Sequence, residues 1–378
     1  MGIDYTQPQI QIAKSSFTSR IFVRGLAGTG KTTAASARLS YMLQQGIAAE
    51  SILIITPQRS LAAPFKENLA ETTTGTGGQV TYLTVGGLAR RMVGLFWPLI
   101  SAEAGFSKPD QTPTFLTLET VQYYIARIIQ PLLDKGYFSS ITINRNRLYS
   151  QIIDNLNKAA VVGFSHLEIA DRLKSAWNGE PGQLRVYEDA QYCANLFREY
   201  CLEKNLLDYS LQMEVFLRYI WPNNLCRNYL ITNYRHLIVD NIEEDTPAAH
   251  DLYSEWLPEC ASALLIFDEI AGYRKFLGAN PETAAALRSL CDEEISLSDS
   301  FVMKPEINNL RTILFHKITK TEIDDISKKS INQNVLEFEV SRFFPGMLDW
   351  VCEKIVNLIH EQNIQPGNIV VLAPLLSK

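Results

Sequence analysis

Along the N-terminal part of the chain, short apolar runs alternate with amphipathic stretches. Thr18–Arg24 is apolar in its middle and predicts a strand. In Thr32–Gln44, Ala35, Leu39, Met42 and Leu43 recur at helical spacing. Ser51–Thr56 is a continuous apolar run of the kind buried on both faces of a parallel sheet. Leu61–Glu71 predicts a helix, Val80–Thr84 a strand and Gly87–Leu95 a helix. Strand and helix in this alternation predict an α/β fold, a parallel sheet with helices on both faces.

The rhythm changes at the polar stretch Ser107–Pro113. Long amphipathic segments follow at Thr117–Leu133, Arg145–Ala160, Ser165–Trp177, Arg185–Lys204 and Leu211–Ile220, and they predict an all-helical insertion. The α/β pattern resumes at His236–Asp240 and Ala263–Asp268, two apolar runs that each end in an acid. Lys317–Asn334 reads as a polar linker. Beyond it, Val335–Val340 predicts a strand, Gly346–Gln362 a helix and Asn368–Ala373 a strand. The organisation expected is an α/β part over 1–108, a helical insertion over 109–225, the rest of the α/β domain over 226–330, and an incomplete second domain over 331–378.

Composition narrows the class. No run approaches a membrane span, and the N-terminus lacks a signal-peptide core, so a cytoplasmic protein is expected. Cys193, Cys201, Cys226, Cys260, Cys291 and Cys352 show no zinc-ligand spacing and read as free thiols. The net charge of −6 argues against a blanket hold on nucleic acid. Residues 1–107 nevertheless carry nine Lys/Arg against five Asp/Glu, a surplus of +4, which leaves −10 for the remainder. That basic first part suits a local phosphate-binding track.

The chemistry is concentrated at Gly25-Leu26-Ala27-Gly28-Thr29-Gly30-Lys31-Thr32, a full G-x-x-x-x-G-K-[ST] between a predicted strand and a predicted helix. Its glycines let backbone N–H groups point at phosphate oxygens, and the helix N-terminus adds a favourable dipole. Lys31 is expected on the β and γ phosphates and Thr32 on Mg²⁺, with Thr33 completing the cradle. Asp240, ending a buried strand, is the expected second Mg²⁺ ligand. ATP and Mg²⁺ follow as ligands.

With these in place, several further segments resemble superfamily 1 DNA helicases of the UvrD/Rep type, whose motor domains are RecA-like. Gln9 or Gln11 resembles the adenine-reading glutamine ahead of the cradle. Ile54–Ala62 resembles the family's motif Ia. Thr81–Met92 resembles T-x-H-S-x-A, with Gly86 at the histidine position. Leu207-Asp208-Tyr209 resembles the D-[FY] that closes the helical 1B insertion, and Leu237–Pro247 resembles V-D-E-x-Q-D-T with one residue extra. Ile266–Ala279 resembles G-D-x-x-Q-S-I-Y-x-[FW]-R-G-A, and Leu297–Ile307 resembles L-x-x-N-Y-R-S-x-P-E-I. The resemblance implies single-stranded or partly duplex DNA as partner, held by Thr56, Gln58, Arg59 and Thr84, with Phe276 either stacking on a base or packed in the core.

The departures bear on activity. The glutamate expected after Asp240 is Asn241, a neutral amide that cannot take a proton from water. Glu243 or Glu244 is the available substitute. The γ-phosphate-sensing glutamine aligns with Ala271, and the motif IV arginine with Val302. The leading expectation is an ATP-binding helicase module with weak or lost hydrolysis. One alternative is an inactive structural subunit beside a catalytic helicase or nuclease subunit. Another is a fully active DNA-dependent ATPase once a C-terminal half is present. A third is an unrelated P-loop enzyme such as a GTPase or kinase. Against it, Asn157-Lys158 is followed by Ala159-Ala160, so that no guanine-reading N-K-x-D appears there, and a 1B-like insertion fits neither class.

Overall fold

The computed structural model describes residues 4–72, 78–300, 302–320 and 335–373. The chain divides into two compact units, Met1–Phe301 and Val302–Lys378.

The first unit opens with α1 (Gln7–Lys14), which the sequence pattern did not reveal. Thr6 caps it, and Gln9 closes a reciprocal capping box. Strand β1 (Arg20–Gly25) runs into α2 (Lys31–Gln44), followed by β2 (Ile52–Ile55), α3 (Ala63–Thr72), β3 (Thr81–Leu83) and α4 (Val85–Ile100). After the insertion come β6 (His236–Val239), α11 (Pro247–Trp256), β7 (Ser262–Asp268), α12 (Pro281–Ala286) and β8 (Glu293–Leu297). The six strands form one sheet of order β3-β2-β6-β7-β1-β8, and every pairing is parallel. Successive strand residues serve opposite faces. Ile21, Val23, Ile52, Ile54, Ile238, Leu264 and Ile266 join one core with α1, α2 and α3. Phe22, Leu53, Ile55, Leu237, Val239, Ala263 and Leu265 join the other with α4, α11 and the insertion.

Between α4 and β6 lie β4 (Thr114–Phe115), α5 (Leu118–Leu133), α6 (Arg145–Val162), α7 (Ile169–Ser175), α8 (Gly182–Lys204), β5 (Leu206–Leu207), α9 (Tyr209–Val215) and α10 (Asn224–Asn233). The stripe Val121, Ile125, Ile129 and Leu132 buries one face of α5. Entry and exit of the helical part meet in the two-stranded parallel pair β4–β5. There the buried Asp208 caps α9 and pairs with Arg198 at 3.1 Å, so the Asp-Tyr segment is a structural clasp. The stretch Leu211–Ile220, read as one helix, passes from α9 into a π-helix at Phe216–Ile220.

Strand β8 escaped the sequence reading because Glu293 and Glu294 interrupt its apolar pattern. Among the described residues it is an edge strand, paired with β1 alone, and its outer side tolerates charge.

The second unit contains α13 (Pro305–Thr319) and α14 (Phe344–His360). The first takes up the start of the stretch read as a linker, and 321–334 lie outside the described residues. Two strand expectations are corrected here. Neither Val335–Val340 nor Asn368–Ala373 forms a strand among the described residues. Both carry β-favouring side chains, but a strand needs a neighbour for its backbone N–H and C=O groups.

Candidate nucleotide site

The end of β1 passes into the glycine-rich turn because β7 and β8 flank it closely. Gly25 pairs with Asp268 on one side and Leu297 on the other, and a Cβ there would lie 2.5 Å from the Leu297 carbonyl oxygen. Gly28 and Gly30 adopt φ of 81° and 79°, left-handed conformations that glycine accepts without strain. Gly30 is also the N-cap of α2, with no side chain on the first-turn N–H groups. Those donors are what an anion would meet. Ala27 and Gly28 are exposed at the crest of the turn, Thr32 and Thr33 are half-buried on α2, and Thr29 is buried with its hydroxyl donating to the Leu26 carbonyl at 2.8 Å.

Lys31 is folded into this turn. Its Nζ donates to the carbonyls of Gly25 and Leu26 at 2.8 and 2.9 Å and lies 3.0 Å from Asp268 Oδ2. Thr32 Oγ1 donates to Asp240 Oδ2 at 3.0 Å. The other carboxylate oxygen, Asp240 Oδ1, is buried with no hydrogen-bond partner among the described residues. Burial lifts the Asp240 carboxyl to about 6, against the lowering pull of the Thr32 hydroxyl, the Asn241 amide and the Lys31 charge. A buried oxygen with no partner beside a threonine hydroxyl is a hard-oxygen donor set that fits Mg²⁺. Thr32 and Asp240 are the residues that would hold it.

Asp268 was not among the sequence-derived site residues. The signal was present: like Asp240, it ends a buried parallel strand, and β7 lies between β6 and β1. Its Oδ1 accepts the amides of Ile270 and Ala271 at 3.1 and 3.3 Å, so one carboxylate shapes the turn and holds Lys31 together. Ala271 itself is exposed and brings only its backbone to this turn.

The residue extra to the family pattern is spent on a 3-10 turn, Ile242–Glu244, entered through Asn241 at φ 58°. Asn241 Nδ2 donates to Glu243 Oε1 at 3.3 Å, and the Asp268 amide donates to Glu243 Oε2 at 3.0 Å. Glu243 is 0% exposed, and burial raises its carboxyl to about 7. Glu244 has a different fate. Its two oxygens accept the amides of Gly272 and Arg274 at 2.9 and 3.1 Å. Of the two substitutes considered from sequence, Glu244 is therefore occupied in shaping the 272–274 turn.

Gln9 and Gln11 are also separated by the structure. Gln9 is buried against the cradle, its Nε2 within 3.5 Å of the Thr29 and Gly30 carbonyls. Gln11 is exposed. Arg38 fixes α1 here: its guanidinium donates to the carbonyls of Ile12, Ser15 and Ser16 at 2.9 to 3.0 Å. Burial lowers its pKa to about 10. A lone arginine on a helix carried no signal of this role.

The residues expected on DNA fall into two groups. Thr56 is buried, and its hydroxyl donates to the Gln58 carbonyl at 2.8 Å, so it shapes the loop after β2 and offers no surface hydroxyl. Thr84 is half-buried and caps α4 through Gly87. Gln58 and Arg59 are exposed. Phe276 is 68% exposed, which excludes the core-packing alternative, and Tyr273 beside it is 74% exposed. At Gly86, a Cβ would lie 2.8 Å from the Tyr209 ring, so the missing histidine leaves space that Tyr209 fills. Val302 is exposed and belongs to the second unit.

A family model, the UvrD/REP helicase N-terminal domain, matches residues 6–269. Among curated proteins, none matches the chain.

Proposed function

This chain belongs to the UvrD/REP helicase family, and from that premise we propose that it binds Mg·ATP at Gly25–Thr33 and holds DNA beside it, with slow hydrolysis. The nucleotide site is carried by one arrangement: at the ends of the parallel strands β1, β7 and β6, Lys31 pairs with Asp268 and Thr32 with Asp240, whose Oδ1 is buried and has no partner among the described residues. Gln9, already docked on the cradle, is placed to read the base. Exposed Tyr273, Phe276, Gln58 and Arg59 supply stacking rings and polar groups suited to single-stranded or partly duplex DNA.

Slow hydrolysis follows from Asn241 and Ala271, which replace a base and a phosphate sensor. Losses of this kind cost on the order of a hundred- to a thousand-fold each and do not simply add. Calorimetric titration of ATP and GTP with Mg²⁺ into the wild type and Lys31→Ala, with turnover followed with and without single-stranded DNA, tests the reading. ATP binding lost in Lys31→Ala is the expected result, and equal binding by both proteins overturns the site. Binding with no turnover in either DNA condition would favour an inactive structural subunit, because Asn241 then stands without a replacement.

A further inference from the structure

We infer that Glu243 is the general base of this chain's ATP hydrolysis, relocated by the longer turn after Asp240. The inference rests on the ATP-binding reading above. Asn241 takes the left-handed conformation at φ 58° and ψ 48°, which asparagine tolerates better than most residues. The 3-10 turn that follows returns Glu243 to within a hydrogen bond of Asn241, at 3.3 Å. A carboxylate is thereby restored beside the position that lost one.

The neighbouring acids are each committed elsewhere. Asp240 faces Thr32 and the cation position. Asp268 holds Lys31 on one oxygen and two amides on the other. Glu244 holds two backbone amides, and Asp245 Oδ2 accepts the Tyr253 hydroxyl at 2.7 Å. Among the described residues, Glu243 takes one firm bond from another residue, the Asp268 amide on Oε2, with the long Asn241 contact on Oε1 and a contribution from its own backbone amide. That leaves Oε1 acceptor capacity for a water. The same Asp268 amide ties Glu243 to the residue that grips Lys31, the side chain that meets the terminal phosphate.

The turn is held from below by His250. Its Nε2 donates to the Ile242 carbonyl at 2.8 Å, so Nδ1 accepts the Thr283 hydroxyl at 2.7 Å. A base on a pinned turn keeps its geometry through the reaction.

When phosphates draw Lys31 from Asp268, the side of Glu243 nearest that pair opens to a water. The water oxygen attacks the γ-phosphorus and forms a new P–O bond. The bond from the γ-phosphorus to the β–γ bridging oxygen breaks, and its electron pair leaves on ADP. The proton lost by the water passes to Glu243 Oε1, then to the product phosphate or solvent.

The test is single-turnover hydrolysis of γ-labelled ATP with Mg²⁺ and single-stranded DNA, with Mg·ATP affinity and melting temperature measured on the same samples. Glu243→Gln keeps the shape and an acceptor for the Asp268 amide while removing the base. It is expected to lower turnover by about a hundredfold or more with affinity and melting unchanged. Glu243→Ala, with turnover partly restored by added formate, supplies a second readout that a structural role would not move. Wild-type turnover in Glu243→Gln overturns the proposal. So does a wild type that binds Mg·ATP without hydrolysing it, and there the binding reading stands. A wild type that fails to bind Mg·ATP removes both.

Discussion

Lys31 Nζ sits 3.0 Å from Asp268 Oδ2, and both side chains are almost wholly buried. The lysine that should meet a nucleotide is thus held by an acid on the neighbouring strand and by two carbonyls of its own turn. Phosphate oxygens must compete with all three. Asp268→Asn removes the charge but keeps Oδ1 for the amides of Ile270 and Ala271. It is expected to tighten Mg·ATP binding by about tenfold, near the 1.4 kcal/mol that a weakened charged hydrogen bond represents. Titration calorimetry on the variant reads this directly, and weaker binding would mean that Asp268 helps to hold the nucleotide.

Asp240 carries the cation prediction. Asp240→Asn keeps the size of the side chain and an acceptor for the Thr32 hydroxyl while removing the anionic oxygen. ATP affinity in the variant should no longer respond to Mg²⁺. Titrations with and without the metal, on both proteins, check it.

Tyr273 and Phe276 should separate DNA binding from nucleotide binding. Each ring is largely exposed on the turn that Glu244 holds in shape. Alanine at either position should cost about 1–3 kcal/mol of single-strand affinity by loss of stacking and leave ATP binding alone. Fluorescence anisotropy at fixed salt is the measurement, since phosphate contacts change with ionic strength.

Asp245 gives a pH signature. Burial raises its carboxyl from 3.8 to about 7, partly offset by the Tyr253 hydroxyl. The folded state then holds a proton that the unfolded state has released, so this group's contribution falls as pH rises from about 4 to 7. Asp245→Asn has no such charge to bury. Its stability relative to the wild type should climb across that window and level off above it, as urea unfolding at several pH values would show.

Arg38 links α1, which carries Gln9, to the helix that starts at Lys31. Arg38→Ala strands the carbonyls of Ile12 and Ser15, while that of Ser16 keeps the Ser19 hydroxyl. A loss of about 3 kcal/mol is expected, because buried acceptors without partners cost 1–3 kcal/mol each and water satisfies some of them. Loosening α1 should also weaken ATP binding, since Gln9 sits on that helix. Denaturation and nucleotide titration of one variant test both effects.

By itself, the sequence determined what local chemistry can determine. The glycine-rich octet from Gly25 to Thr32 states its role through spacing alone, because tight turn, lysine and hydroxyl must follow one another in the chain. The buried strands His236–Val239 and Ser262–Asp268 were legible because a strand apolar on both faces reads as a continuous run. The helical insertion was legible through its periodicity. Tertiary structure decided what depends on neighbours distant in sequence. Glu243 and Glu244 are adjacent and chemically alike, yet one turns toward Asn241 and Asp268 while the other caps the 272–274 turn. The partner of Lys31 comes from a strand placed beside β1 by a crossover, and no local pattern announces that pairing. Gln9 lies against the cradle and Gln11 does not because of the face that α1 presents to it. Phe276 was exposed because its turn projects from the sheet end. Strand β8 and the failed strands of the second unit show the same dependence, since a strand exists only where another offers its hydrogen bonds.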